Sequence, residues 1–244
     1  MELRFDMTYE DAYREVYEMV KPKYKLFTAG PVACFPPEVL AIMSVQMFSH
    51  RSAEAKAVHV DTLNRLKAFL EADKGEIILF PSSGTGFMEA AVRNTIPRGG
   101  KVLVTVIGAF GKRFADVVNA NGRKAVVFEK EPGQAIKPEE LDEVLKKNPP
   151  DVHAVTITYN ETSTGVLNPL PELAKVVKEH DKLLFVDAVS AMGGAEIKFD
   201  KWGNRPRLRE QPEGLRRPAG TGCSGCQRES FRDSREDAGA RLVL

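Results

Sequence analysis

Lys182-Leu183-Leu184-Phe185-Val186-Asp187-Ala188-Val189-Ser190 decides how this chain folds. An unbroken apolar run closed by one carboxylate reads as a strand buried on both faces of a parallel sheet. In open α/β sheets, ligands bind just beyond the carboxyl ends of the strands, and Asp187 falls there. A carboxylate in such a place is costly unless a positive or hydrogen-bonding group meets it. Two roles are open to it. It is either a partner for a protonated ring nitrogen or a metal ion, or a turn residue that caps a helix. A lone strand-end Asp favours the second, so the neighbouring sequence has to decide.

Upstream of that run, apolar strands and amphipathic helices alternate. The spacing predicts strands at 77–80, 102–107, 125–128, 152–159 and 183–186. It predicts helices at 87–94, 113–120, 138–147 and 171–180 between them. This β-α alternation argues for a mainly parallel sheet flanked by helices, an α/β fold. Further upstream, Thr8 begins a helical pattern over 8–21 that Pro22 stops. Pro36-Pro37-Glu38 opens another helix, and 53–72 carries Leu63, Leu66, Phe69 and Leu70 on one face.

Composition narrows the function classes. A hydrophobic share of 43% and a charged share of 28% are ordinary for a globular chain long enough for a real core. A net charge of +1 carries no nucleic-acid signal. Met1 to Asp6 lacks the apolar core of a signal peptide, and no apolar run approaches membrane-spanning length. Cys34, Cys223 and Cys226 make no disulfide framework and fit a reducing compartment. The expectation is a cytoplasmic protein with no nucleic-acid or membrane partner.

After Trp202 the composition breaks. Residues 203–244 contain nine Arg and no Lys, whereas the first 202 contain eight Arg and eighteen Lys. Hydrophobic periodicity ends there, and such a segment buries little. A basic arm for nucleic acid is one reading, weakened by the acidic residues among the arginines. Cys223-Ser224-Gly225-Cys226 is at most half a zinc site, with no second pair near it.

Three further stretches fall at strand ends. Pro81-Ser82-Ser83-Gly84-Thr85-Gly86 joins a strand to a helix, with hydroxyls, glycines and free helix-start N–H groups that can cradle an anion. It lacks the lysine of a Walker loop and the third glycine of a dinucleotide fingerprint. Gly108-Ala109-Phe110-Gly111 places an aromatic where it can lie flat on a planar ring, although such a residue is more often simply packed. Tyr159-Asn160-Glu161-Thr162-Ser163-Thr164-Gly165-Val166 offers amide and hydroxyl groups, or merely a capped turn. Together with Asp187 they supply a phosphate seat, a ring lid, a contact for a ring hydroxyl and an acid for a ring nitrogen. That is the set pyridoxal phosphate requires.

On these residues the chain resembles the class V aminotransferases of pyridoxal-phosphate fold type I, within them the serine–pyruvate/alanine–glyoxylate group. The resemblance rests on Ala29-Gly30-Pro31, Pro36-Pro37-Glu38-Val39, His50-Arg51-Ser52, Ser83-Gly84-Thr85-Gly86, Asn160 to Val166, and Val186-Asp187-Ala188-Val189-Ser190 with Gly193-Gly194. It runs from about residue 24 to 202. It implies that Ser83, Gly84 and Thr85 bind phosphate, Phe110 stacks on the ring and Thr162 meets the ring hydroxyl. It implies that Asp187 holds the pyridine nitrogen, Val189 packs on the other ring face and Gly30 lines the substrate pocket. The implied reaction moves an amino group from a small amino acid, serine or alanine, to a 2-oxo acid, pyruvate or glyoxylate. A homodimer is implied for the intact parent. The implied organisation is a helical arm at 1–23, a partial cofactor-binding large domain at 24–202, and a tail at 203–244, with the C-terminal small domain missing.

One family residue has no counterpart. The Schiff-base lysine lies roughly two dozen residues past the Asp in the family, and the last lysine here is Lys201. The tail offers a reason. Arg209 to Gly214 can be encoded CGC GAG CAG CCA GAA GGC, and one nucleotide later that string reads Ala-Ser-Ser-Gln-Lys-Ala, the family's lysine segment. The expectation is an out-of-frame, disordered tail from about residue 204 and an unstable chain without normal transaminase activity. In the family the two strands after the Asp strand lie between it and the first strand, so 77–80 would lack sheet neighbours. Three alternatives stand beside this: a non-catalytic pyridoxal-phosphate-binding chain, a cysteine desulfurase, for which Cys34 is wrongly placed, and a phosphoserine aminotransferase.

Overall fold

The computed structural model describes residues 37–148 and 151–202, together with Asp11, Arg14, Glu15 and Glu18, which are helical. The rest of the 8–21 helix, Gly30, Cys34 and the tail with Cys223 and Cys226 lie outside the described residues. The chain divides into two compact units, Met1–Asp61 and Thr62–Leu244. The first holds helix α1 (Pro37–Met43) and the start of helix α2 (Ala53–Leu70). Ser52 begins α2, its hydroxyl accepting from the Ala55 N–H at 3.2 Å.

In the second unit the order is α3 (Gly84–Thr95), β1 (Lys101–Val106), α4 (Ala109–Ala120), β2 (Lys124–Glu129), α5 (Pro138–Lys147) and β3 (Val152–Thr158). A short antiparallel pair, β4 (Asn160–Glu161) with β5 (Val166–Leu167), follows. Then come α6 (Leu170–Glu179), β6 (Leu183–Asp187) and α7 (Phe199–Trp202). The four long strands form one sheet in the order β2-β1-β3-β6, every pair parallel.

Side-chain alternation along each strand feeds two cores, as a parallel sheet covered on both faces demands. Val102, Val104, Val106, Ala154 and Phe185 gather with Met88, Val92, Phe114 and Val118 of α3 and α4. Leu103, Val155, Ile157, Leu184 and Val186 gather with Leu141, Leu145, Leu173 and Val177 of α5 and α6. Fully burying one such side chain stabilises by about 1.5–3 kcal/mol relative to leaving it in water. Both faces therefore hold the sheet between helix layers.

Helix α6 stops at a left-handed residue, Asp181 at φ 53°, and Lys182 N–H returns to the Val177 carbonyl at 3.2 Å. The chain thus turns straight into β6. That strand ends on Asp187, the register partner of Thr158 in β3. The decisive run is a buried strand, as its apolar pattern predicts.

Two expectations change. Residues 77–80 form no strand, and Ile78, Leu79 and Phe80 are exposed. The sheet order ends on β6 with no strand beyond it among the described residues, so an extended 77–80 has no ladder to join. Phe110 lies not at a strand end but in the first turn of α4, which begins four residues before the predicted 113. The partners that let the helix start there, Glu161 and Ser163, come from elsewhere in the chain.

Candidate functional site at the carboxyl ends of the strands

Asp187 is 9% exposed. Its Oδ1 accepts from the Val189 N–H at 3.1 Å, and no side chain among the described residues donates to it. Burial pushes its carboxyl above the usual range; the Val189 bond pulls it down, the charge of Glu161 raises it and that of Arg113 lowers it. A desolvated acid without a bonded cation is one that a protonated ring nitrogen would satisfy.

Helix α3 begins beside it. Ser83 is its N-cap in extended conformation, with Oγ accepting from the Gly86 N–H at 3.4 Å. The N–H groups of Gly84 and Thr85 find no acceptor among the described residues, which leaves the positive end of the helix open. A Cβ on Gly84 would stand 3.0 Å from the Val189 methyl, so the glycine lets the helix start lie against the loop after β6. Gly84, Asp187 and Val189 consequently line one small cavity with Phe87, Met88, Ala91, Phe114 and Val186.

Helix α4 starts differently. Ala109 N–H donates to Ser163 Oγ at 3.0 Å, and the N–H groups of Phe110 and Gly111 donate to Glu161 Oε2 at 3.1 and 3.2 Å. Glu161 is fully buried, and its Oε1 accepts from Ser163 N–H at 3.1 Å and Ser163 Oγ at 2.7 Å. This helix end is closed by an internal anion, so α3 offers the vacant one. The guanidinium carbon of Arg113 sits 5.1 Å from the centre of the Phe110 ring, covering one face of it.

The 160–165 turn is tied to the strand-end loop by Ser190. Its hydroxyl accepts from Thr162 Oγ1 at 2.8 Å and Asn160 Nδ2 at 3.0 Å, and donates to the Asn160 carbonyl at 2.9 Å. Beside Asp187 in the sheet, Thr158 is buried and its hydroxyl has no partner among the described residues.

Of the residues picked from sequence, Ser83, Gly84, Thr85, Asp187 and Val189 come together around α3 and β6. Phe110 and Thr162 do not line that cavity. They attach to it through Glu161 and Ser190, roles the sequence reading left unassigned. The signal for Glu161 was an acid standing alone in a turn of threonines and serines, opposite a helix that begins on Gly108 and so lacks a capping side chain. Among the described residues no three His, Cys, Asp or Glu gather as a metal site, and no helix is long and apolar enough to cross a membrane.

Comparison with known proteins gives the family. The family Aminotransferase class-V matches residues 41–204. An uncharacterized aminotransferase of Methanocaldococcus jannaschii is 40% identical over 74% of this chain and 46% of its own length. The serine–glyoxylate aminotransferase of Methylorubrum extorquens is 37% identical over 81% of this chain and 50% of its own. Among solved structures, an alanine–glyoxylate aminotransferase from Nostoc sp. superposes with a TM-score of 0.65 at 27% identity, covering 72% of this chain and 50% of that one. The chain spans about half the length of the curated relatives it matches. With the family match covering residues 41–204, well over half of its length, the chain belongs to the class V aminotransferases.

Proposed function

We propose that the strand-end cavity is the seat of pyridoxal 5′-phosphate, the cofactor of this family. The observation that carries the reading is the pairing of two needs unmet among the described residues: helix N–H groups without an acceptor at Gly84 and Thr85, and a buried carboxylate without a bonded cation at Asp187, with Gly84 and Asp187 lining one cavity. A phosphate on a protonated pyridine ring meets both. Ser83, Gly84 and Thr85 would hold the phosphate. Asp187 would accept from the ring N–H and keep that nitrogen protonated. Val189 would pack on one ring face, Phe110 would cover the other with the face Arg113 leaves free, and Thr162 would reach the ring hydroxyl. Gly30 would line the substrate pocket. When bound, the cofactor supplies an electron sink for the amino-bearing carbon of a substrate.

In this reading the whole protein transfers an amino group from a small amino acid, serine or alanine, to a 2-oxo acid such as glyoxylate or pyruvate. The serine–glyoxylate relatives support that pairing. A homodimer in the cytoplasm is part of the same proposal, with 24–202 as the cofactor-binding large domain. For the 244 residues themselves, the absence of any lysine after Lys201 favours cofactor holding without turnover. We attribute that absence to a shift of reading frame near residue 204, where the family match ends and the composition breaks. Sequencing the gene across the codons for Trp202 to Gly214 tests the shift. An unshifted frame with no lysine segment in the alternative frame would remove it.

Equilibrium dialysis with deoxypyridoxine phosphate tests the seat. This ligand has the ring, hydroxyl and phosphate but no aldehyde, so no lysine is needed. The expected result is one bound per chain, with Asp187→Asn weakening binding by about tenfold, or about 1.4 kcal/mol. Equal affinity in the two proteins would sink the assignment.

A further inference from the structure

The two helix starts at this sheet edge are finished in opposite ways. At α3 a local serine caps the turn and two N–H groups stay open. At α4 no local side chain can cap, because the N-cap is Gly108. Its first three N–H groups are instead met by Ser163 and Glu161, from about fifty residues further along the chain. The fit is close. A Cβ on Gly108 would stand 2.4 Å from Ser163 Oγ and 2.5 Å from Glu161 Cγ. Glu161 is fully buried; among the described residues no cation is bonded to it, and its two oxygens take four donors, all from α4 and Ser163. A buried carboxylate held only by N–H and O–H donors is a strong, directional tie.

That tie joins two things a flat ligand must touch. One is Phe110, whose own N–H is bonded to the carboxylate; the other is Thr162, the next residue after Glu161. Ser190 then fixes Thr162 to the loop that follows Asp187. We infer that Glu161 is a positioning residue for the ring: it sets the spacing between Phe110 and Thr162, and it fills the N-terminus of α4 so that phosphate goes to α3 alone. The inference rests on the reading of the seat given above. It differs from a purely structural cap in one respect. A cap sustains the fold and affects every ligand alike, whereas a positioning group affects the ring and spares the phosphate.

The test compares the full chain with Glu161→Gln and Ser163→Ala, using deoxypyridoxine phosphate and inorganic phosphate as separate probes. Gln keeps the shape and one acceptor oxygen but loses the charge and the match to the Ser163 N–H. The expected result is about tenfold weaker binding of the ring probe by Glu161→Gln, a smaller loss for Ser163→Ala, and unchanged affinity for inorganic phosphate. Faster amide hydrogen exchange at Phe110 and Gly111 in Glu161→Gln accompanies it. Ring-probe affinity equal to wild type overturns the inference. So does a parallel fall for both probes that tracks the folded fraction. If the unmutated chain fails to take the ring probe, the seat itself is wrong and the inference falls with it; exchange at Phe110 and Gly111 still separates that outcome from a missing cap.

Discussion

Replacing Gly111 with alanine measures how tightly α4 must lie on β1. A Cβ there would stand 2.7 Å from the Thr105 carbonyl oxygen and 3.0 Å from the Val106 Cα. Both are backbone atoms of a central strand, so neither can rotate away. The first turn of α4 must instead retreat by a few tenths of an ångström, and overpacking of that kind costs about 1–3 kcal/mol. Alanine gains up to about 1 kcal/mol over glycine in a helix interior, and less in a first turn. The clash therefore wins, and the retreat also stretches the Gly111 N–H bond to Glu161, already 3.2 Å. A net loss of about 1 kcal/mol or more follows. In urea unfolding of the purified chain, with a slope of about 2 kcal/mol per molar, the midpoint falls by about 0.5 M. Gly194→Ala is the control. Its Cβ meets only the Ala191 carbonyl at 3.7 Å, an ordinary contact, and its midpoint stays near wild type. A Gly111→Ala chain as stable as wild type would refute the close-approach argument.

Asp187→Asn raises stability at neutral pH while weakening cofactor binding. Burial, then the charge of Glu161, raises the folded-state pKa of Asp187, so its ionised form disfavours folding; the gain from Asn shrinks as pH falls and wild type takes up the proton. Urea midpoints across pH check this, and a variant less stable than wild type at neutral pH contradicts it. Thr158→Val removes a buried hydroxyl with no partner and changes stability by less than about 1 kcal/mol, in the stabilising direction. A loss above about 1 kcal/mol by the same assay would show that the hydroxyl is bonded after all. Asp142 is held below the usual carboxylate range by Lys146 first and His180 second, with His180 Nε2 2.7 Å from its Oδ1. A depressed acid contributes stability above its unfolded pKa and loses it as pH falls through the folded one. Wild type therefore loses stability more steeply than Asp142→Asn once pH drops below about 4; parallel curves would remove the role of this pair.

The sheet was legible because its strands are apolar on both faces and end on turn-forming residues. Leu183 to Asp187 needs no long-range information to read as a buried strand, and the β-α alternation before it fixes parallel pairing. Residues 77–80 carry a strand's apolar pattern but form no strand, for the reason that the family resemblance already implies. A strand exists only with a neighbour, and among the described residues the order β2-β1-β3-β6 puts no strand beyond β6. The site divided along the same line. Ser83 and Asp187 announce themselves locally, one as a helix cap before glycines and the other as a strand-end acid. Glu161 and Ser190 act on groups fifty and thirty residues away, and no local pattern marks such partners. Phe110 reads from sequence as a strand-end aromatic between Gly108 and Gly111. The helix starts just after Gly108 and runs through Gly111 because Glu161 and Ser163 supply what a local cap would have given.

The most direct test of the central claim is to titrate the purified chain with pyridoxal phosphate, reduce with borohydride and weigh the intact protein. The account predicts saturable binding of one cofactor per chain, free-aldehyde absorbance, and no mass gain after reduction, because the proposed seat lies before Trp202 and no lysine follows Lys201. No binding would contradict the seat. A stoichiometric adduct mapped to one residue, Lys198 or Lys201 above all, would contradict the claim that the chain holds the cofactor without a covalent anchor.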